Sequence, residues 1–335
     1  MRIIVPMAGM GKRMRPHTLT VPKPLIPIAG KPIVQRLVED IAKVCQEPIE
    51  EVAFIIGKFG KEVEARLIKI AESVGATGSI HYQDEALGTA HAILCAQSAL
   101  KGNVVVAFAD TLFKADFTLD TSAEGTIWVQ KVEDPRPFGV VKLNEQGQIT
   151  DFVEKPEQFV SDLAIIGIYY FKDGENLRSE LQYLLDNDIK DKGEYQITNA
   201  LENMKNKGAV FIPGEISEWL DCGNKDSTVY TNQRYLEYIK DEEGLVSSTA
   251  QVSNSVIIPP VYLGENVVLN NSVVGPHVSI GNNTQVDGSV LSNSIVQENS
   301  KIKDALISNS MVGNYVVYEG NPADLSVGDY NTLRG

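Results

Sequence analysis

Cysteine and histidine are scarce in this chain, and basic residues are outnumbered by acidic ones. Three cysteines occur in 335 residues, at positions 45, 95 and 222. They form no Cys-x-x-Cys pair, which argues against a thiolate metal site or a disulfide framework and for reduced thiols. Of four histidines, only His91, on the helix expected after Gly88, adjoins one of the chemical motifs described below. Thirty lysines and arginines against 44 aspartates and glutamates leave a net charge of −14. That balance disfavours a general affinity for nucleic-acid backbones or anionic membranes, so neither is expected as a partner. No apolar run reaches the roughly 20 residues needed to cross a bilayer. Met1-Arg2 leads directly into a strand pattern with no signal-peptide stretch, so the cytoplasm is the expected location.

Against this acidic background, one stretch concentrates glycine and positive charge: Val5-Pro6-Met7-Ala8-Gly9-Met10-Gly11-Lys12-Arg13, continued by Pro22-Lys23-Pro24-Leu25. Arg2-Ile3-Ile4-Val5 reads as a short buried strand that the glycines break. Gly9 and Gly11 let backbone N–H groups approach an anion where a Cβ would interfere. Arg13 can meet phosphate oxygens with two prongs, and Lys23 can act as a point charge. Together these groups suit a triphosphate. The stretch is not a P-loop, because Pro6 stands five before Gly11 and Arg13 replaces the Ser/Thr. Nor is it a dinucleotide fingerprint, since Met14 occupies the third glycine position.

Residues 1–110 alternate between strand and amphipathic-helix patterns. Strands are expected at Arg2–Pro6, Val52–Ile56, Ser79–Tyr82 and Val104–Phe108. Helices are expected at Ile33–Val44, Lys61–Ser73 and Thr89–Leu100. Such βα units predict a Rossmann-like, mostly parallel sheet with helices on both faces and ligands beyond the strands' carboxyl ends. The stretch 126–171 is β-rich, helices return at about 174–186 and 195–205, and a last helix, Asp226–Tyr238, is expected to be capped by Asp226 or Ser227.

Past residue 245 aliphatic side chains recur in steps of five or six, from Leu263, Leu269, Val274 and Ile280 through Val312. This hexapeptide step marks a parallel β-helix of about four coils. The expected division is therefore a domain over 1–240 and a repeat domain over 241–335.

Two further patterns bear on chemistry. Gln83 in Gln83-Asp84-Glu85-Ala86-Leu87-Gly88-Thr89-Ala90 offers an amide donor and acceptor, matching the O4 and N3–H edge of uracil or thymine. Asp110 ends an apolar run, and Asp221 lies in a similar setting in Trp219-Leu220-Asp221-Cys222-Gly223. Two aspartates at a phosphate site suit Mg²⁺, an oxygen-seeking ion that bridges phosphates.

Ala8 to Pro32, with Gly-x-Gly-x-Arg, Arg15-Pro16, Pro22-Lys23-Pro24-Leu25 and Gly30-Lys31-Pro32, resembles the opening of the sugar-1-phosphate nucleotidyltransferases. Met10 and Lys12 stand where that family usually has Gly and Thr. The resemblance extends over residues 1–240, and the tail resembles the left-handed hexapeptide β-helix of longer members. It implies a nucleotide site at Ala8, Gly9, Gly11, Arg13, Lys23, Gln83, Gly88, Thr89 and Asp110, with Mg²⁺ on Asp110 and Asp221. Phe138-Gly139-Val140-Val141, Glu154-Lys155-Pro156 and Ile166-Gly167-Ile168-Tyr169 match the sugar-phosphate side. There the resemblance implies that Gly139 and Gly167 admit sugar hydroxyls, Glu154 accepts from them, and Lys155 pairs with the sugar's phosphate. Thr198 is a further sugar contact, within Glu194-Tyr195-Gln196-Ile197-Thr198-Asn199. Trp219 is expected to be core.

The implied reaction is nucleotidyl transfer from an NTP, dTTP or UTP favoured by Gln83, to a sugar-1-phosphate such as glucose-1-phosphate. Arg13, Lys23, Asp110 and Lys155 would be its catalytic residues, and the repeat tail would join copies into a homo-oligomer. Alternatives are a mannose-1-phosphate guanylyltransferase, a non-catalytic nucleotide-sugar-binding subunit, and an acyltransferase tail using His277. The tail is short for the last of these.

Overall fold

In a computed structural model the described residues are 1–321 and Val327. The end of the expected repeat domain, residues 322–326 and 328–335, lies outside them. The chain divides into two compact units, one of Met1–Pro27 with Lys31–Thr231, the other of Ile28–Gly30 with Asn232–Gly335.

The first unit is built on a nine-stranded sheet. Its strands are β1 (Arg2–Pro6), β2 (Glu51–Ile56), β3 (Thr77–Tyr82) and β4 (Val104–Ala107), then β6 (Gly125–Lys131), β7 (Val140–Leu143), β8 (Ile149–Val153), β9 (Leu163–Phe171) and β10 (Phe211–Gly214). Between them falls β5 (Thr111–Phe113), which pairs with β11 (Trp219–Asp221) in a separate two-stranded sheet. The main order is β8-β7-β9-β4-β1-β2-β3, with β6 joining β9 to β10.

The expectation of a mostly parallel sheet holds for one half; in the other half only β6 and β10 pair in parallel. β4, β1, β2 and β3 run parallel. β9 then enters antiparallel to β4, β6 and β7, and β8 runs antiparallel to β7. The physical reason lies in the connections. Helical crossovers of the first hundred residues return each strand in the same direction, whereas the short links between β7, β8 and β9 permit only reversal.

Helix α1 (Ile33–Val44) buries Ile33, Leu37, Val38, Ile41 and Val44 along one stripe, as its 3.6-residue spacing requires. Helix α2 (Lys61–Ser73) buries Leu67 and Ile70. Helix α3 spans Thr89–Leu94 and gives way to a 3₁₀ turn at Gln97–Ala99, short of the expected end at Leu100. Helices α4 (Gly174–Asp186), α5 (Ile197–Asn206) and α6 (Lys225–Ile239) follow. The start of α6 corrects the expected cap: the Asn224 side chain accepts from Ser227 N–H at 3.0 Å, and Ser227 Oγ accepts from Asn224 N–H at 3.2 Å. This reciprocal arrangement satisfies two donors, so Asn224 precedes the helix and Ser227 lies inside it.

In the second unit, short strands stack into three parallel sheets, of five, four and four strands. Leu269 pairs with Val286, which pairs with Ile302, giving the rung spacing of a parallel β-helix. Leu263, Leu269, Val274, Ile280, Val286, Leu291, Val296 and Ile302 are buried along its axis, with Val312 packed against them. Asparagines at left-handed corner positions stack in ladders: Asn266 donates to Asn283 at 3.1 Å, and Asn254 to Asn271 at 2.8 Å. No helix among the described residues is long and apolar enough to cross a membrane.

Candidate active site

The carboxyl ends of β1, β3 and β4 open onto a cleft of about 410 Å³ in the first unit. Its floor is the glycine loop after β1. Gly11 adopts φ 56°, ψ 36°, a left-handed conformation natural to glycine. A Cβ there would stand 2.9 Å from Lys23 Cβ and 3.1 Å from Thr18 Cγ2, so the glycine also lets Lys23 pass close beneath. Gly9 differs. A Cβ on it would meet nothing within 4 Å, because its side faces the open cleft. Ala8, Lys12 and Arg13 line the same space. Arg13 is exposed and makes no ion pair with any described residue.

Lys23 is buried, yet its ammonium reaches Asp110 Oδ2 at 3.0 Å. Asp110 follows β4 and precedes β5, so a half-exposed carboxylate stands at the mouth of the parallel sheet. Its carbonyl accepts from Cys222 N–H at 2.9 Å. Asp221, the preceding residue, pairs with Thr111 across the β5–β11 ladder. The two aspartates, 111 positions apart in sequence, thus meet at one end of the β5–β11 ladder. Asp221 Oδ1 accepts from Gly223 N–H at 3.0 Å, and Gly223 lines the cleft. Burial pushes the Cys222 thiol well above its usual range, which leaves it protonated and inert.

The third wall is the turn from β3 to α3. Gln83 Nε2 donates to Gly88 O at 3.2 Å and lies 3.1 Å from His91 Nδ1. Gly88 has φ 114°, and a Cβ on it would press into the backbone of Tyr195. The space that this glycine frees is therefore filled by protein. Thr89 Oγ1 donates to Gln196 Oε1 at 3.0 Å and accepts from Ile197 N–H at 2.9 Å. Glu194 also lines the cleft, which the sequence motif around it did not assign. A carboxylate beside a cationic loop has no distinctive local pattern, so only the fold reveals it.

A second cluster lies on the antiparallel half of the sheet. Thr198 Oγ1 donates to Glu154 Oε2 at 3.2 Å, and Lys155 Nζ lies 3.5 Å from Glu154 Oε1. Gly139 sits against both; a Cβ there would be 3.1 Å from Glu154 Oε2 and from Thr198 Cγ2. Lys155 takes φ 40°, and Lys192 Nζ donates to its carbonyl at 2.9 Å. Gly167, at φ 88°, interrupts the register of β9, and its carbonyl accepts from Phe108 N–H at 3.0 Å. Trp219 is only partly buried and meets Phe138 edge-on at 5.2 Å, so it is not the core residue expected.

Hydrogen bonds stitch the two clusters together. Tyr195 N–H donates to Leu87 O and Ala90 N–H to Tyr195 O, two residues before Ile197 meets Thr89. Thr198 then reaches Glu154. The Tyr169 phenol is held above its ordinary pKa by burial and, secondarily, by the negative charges of Glu154 and Asp110. A single buried ring thus senses one carboxylate from each cluster.

A sequence model of the nucleotidyl transferase family matches residues 3–238. The bifunctional protein GlmU of Methanococcus maripaludis is 30% identical over 264 residues, which cover 77% of this chain and 60% of that protein. Mannose-1-phosphate guanylyltransferase catalytic subunit beta of Drosophila pseudoobscura is 32% identical over 334 residues, 95% of this chain and 86% of that one. A crystal structure of UDP-glucose pyrophosphorylase complexed with UDP-glucose shares the fold, with TM-score 0.58 and 23% identity over 71% of this chain and 98% of that chain. With a glycine-and-arginine loop at a sheet's carboxyl edge and a family match from the first strand to the last helix, the chain belongs to the nucleotidyl transferases, among the sugar-1-phosphate nucleotidyltransferases.

Proposed function

We propose that the chain transfers a nucleotidyl group from UTP or dTTP to glucose-1-phosphate, releasing pyrophosphate. The observation that carries this reading is the continuity of the two clusters. The cationic glycine loop and Asp110 share a cleft, and Thr89, Ile197 and Thr198 connect it to Glu154 and Lys155. In this reading residues 1–240 carry the chemistry, and the repeat unit after them, described as far as Asn321, is a left-handed scaffold.

A sugar-1-phosphate is ionised at neutral pH, so its oxygen attacks the α-phosphorus without a general base. One P–O bond forms, and the bond to the β-phosphate breaks, its electron pair leaving with pyrophosphate. The obstacle is repulsion between two polyanions, which oriented cations and N–H groups relieve. Lys155 holds the attacking phosphate, while Glu154 and Thr198, with the backbone at Gly139 and Gly167, orient the sugar. Ala8, Gly9 and Gly11 cradle the triphosphate. Arg13 neutralises charge that builds on the phosphorus and the leaving group. Lys23 fixes Asp110. Gln83, Gly88 and Thr89 shape the base subsite.

The donor set at Asp110 and Asp221 is all-oxygen, and no group of three or more metal-ligating side chains occurs among the described residues. Two carboxylates with the remaining ligands from phosphate and water fit Mg²⁺. Held there, Mg²⁺ would neutralise triphosphate charge.

A panel of four NTPs against glucose-, mannose-, N-acetylglucosamine- and galactose-1-phosphate, followed by pyrophosphate release, tests the reading. Turnover of UTP or dTTP with glucose-1-phosphate, lost in Arg13→Ala or Asp110→Asn and on chelation, is expected. Turnover of GTP with mannose-1-phosphate alone would overturn the base and sugar assignment. Binding without any turnover would favour a regulatory subunit.

The tail is read as an oligomer contact rather than an acyltransferase. His277 Nε2 is engaged with Glu237 Oε1, at 2.7 Å, and the ring is largely buried. Val256, Val273, Val290 and Leu306 stand in register on the outside of one sheet, with Leu306 84% exposed. Sedimentation that shows a monomer, unchanged by Leu306→Lys, would remove the oligomer from this reading. Nucleic acid and membranes are not partners in it, and the cytoplasm is its setting.

A further inference from the structure

We propose that His91 is a positioning residue that fixes which atoms of the Gln83 amide a nucleobase meets, and so selects bases with an imide or lactam N–H. The inference rests on the nucleotide site proposed above and concerns a residue that does not itself line the cleft.

Gln83 follows β3, where its backbone N–H donates to Ile56 O at 3.0 Å. The side-chain orientation is chemically determined. Gly88 O can only accept, so the group facing it at 3.2 Å must be the amide nitrogen. The same nitrogen lies 3.1 Å from His91 Nδ1. For it to donate there, Nδ1 must hold a lone pair, which places the imidazole proton on Nε2 of a neutral ring. His91 sits in the first turn of α3, and half-burial lowers its pKa, which favours the neutral ring; Glu85 acts in the opposite sense.

An amide nitrogen has two hydrogens, and these two acceptors use both. What Gln83 presents to a ligand is then its carbonyl oxygen alone. That corrects the donor-plus-acceptor role expected from residue type. A lone acceptor pairs with N3–H of uracil or thymine, or with N1–H of guanine. Held in the same register, cytosine N3 and adenine N1 put a lone pair at the equivalent edge position and are repelled, and their amino groups reach the carbonyl only if the base shifts along its edge. Without the His91 acceptor, one amide hydrogen is released and can turn toward a base that accepts.

The test is calorimetric binding of UTP and CTP, with Mg²⁺, to the full chain. The wild type is expected to favour UTP. His91→Phe, which keeps the ring volume but removes the acceptor, should reduce that preference at least five-fold. His91→Asn, whose amide oxygen takes the place of Nδ1, should keep it within two-fold. His91→Ala serves the same comparison if phenylalanine does not fit. Equal weakening of UTP and CTP in the Phe and Ala variants, with the ratio unchanged, would overturn the inference and leave His91 a packing residue. A wild type that binds both nucleotides alike overturns it as well. A chain that selects UTP in this way yet releases no pyrophosphate overturns the proposed reaction and leaves the inference standing; one that binds no nucleotide overturns both.

Discussion

The two glycines of the loop after β1 allow folding and binding to be separated experimentally. Gly9 is not in the left-handed region, and a Cβ on it meets no atom within 4 Å. Gly9→Ala should therefore leave stability unchanged or raise it by up to about 1 kcal/mol, by restricting the unfolded chain. If the loop cradles a triphosphate, however, the methyl group occupies ligand space. Losing one hydrogen bond to a charged phosphate costs about 1.5–3 kcal/mol, which weakens binding roughly 10- to 150-fold. Gly11→Ala should behave differently. Its φ of 56° costs a non-glycine residue about 1–2 kcal/mol. The overlap with Lys23 and Thr18 adds about 1–3 kcal/mol. A stability loss of about 2–5 kcal/mol is the expected sum. Both tryptophans, Trp128 and Trp219, lie in the first unit, so urea unfolding followed by their fluorescence reports on this part of the chain. Calorimetric binding of UTP supplies the other measurement. A Gly9→Ala variant that loses more than about 1 kcal/mol of stability while binding UTP normally would refute the cradle.

Thr89→Val keeps shape but leaves Ile197 N–H and Gln196 without their partner, at a cost of about 1–3 kcal/mol. Because Ile197 adjoins Thr198, it should also raise KM for the sugar phosphate more than for the NTP; equal effects would sever the proposed link between subsites. His17, His81 and His91 are all held below the ordinary imidazole pKa of 6.5 by burial, with Glu51 and Glu85 opposing at the latter two. Above 6.5 both folded and unfolded chains are neutral at these rings. Below it the unfolded chain takes up protons that the folded one resists, so stability should fall between pH 7 and pH 5.5. Urea midpoints that stay flat across that window would contradict it. In the repeat unit, Leu291 is fully buried, and Leu291→Ala should cost about 3–5 kcal/mol. A circular-dichroism unfolding midpoint indistinguishable from wild type would show that the coil core is not packed as described.

Much of this architecture was legible because it depends on local periodicity. The stripe of α1, the limits of α2 and α4, and the buried aliphatic series from Leu263 to Ile302 follow from spacing alone. Strand direction does not. Leu163–Phe171 reads alike in either orientation, and only its partners reveal that β9 opposes β4. The cap of α6 was misplaced because Asn224, Asp226 and Ser227 are all good capping types, and geometry alone chooses among them. α3 gives way to a 3₁₀ turn although its sequence is alanine-rich; Ala96, Ala99 and Leu100 beyond it are fully buried, and no local pattern marks where the helix stops. In the site, residue types announced the glycine loop and the aspartates. What Gly88 makes room for, and how the Gln83 amide is turned, depend on Tyr195 and His91, partners that no local pattern names.

The seam where β9 meets β4 has an evolutionary consequence. Groups read here as grasping the nucleotide stand beside crossover-linked strands to one side, and those read as grasping the sugar, Thr198 on α5 apart, stand on a meander to the other. Substitutions that retune one recognition need not disturb the backbone ladder that supports the other. Such a layout allows a lineage to change its sugar while keeping its nucleotide, or the reverse, one step at a time.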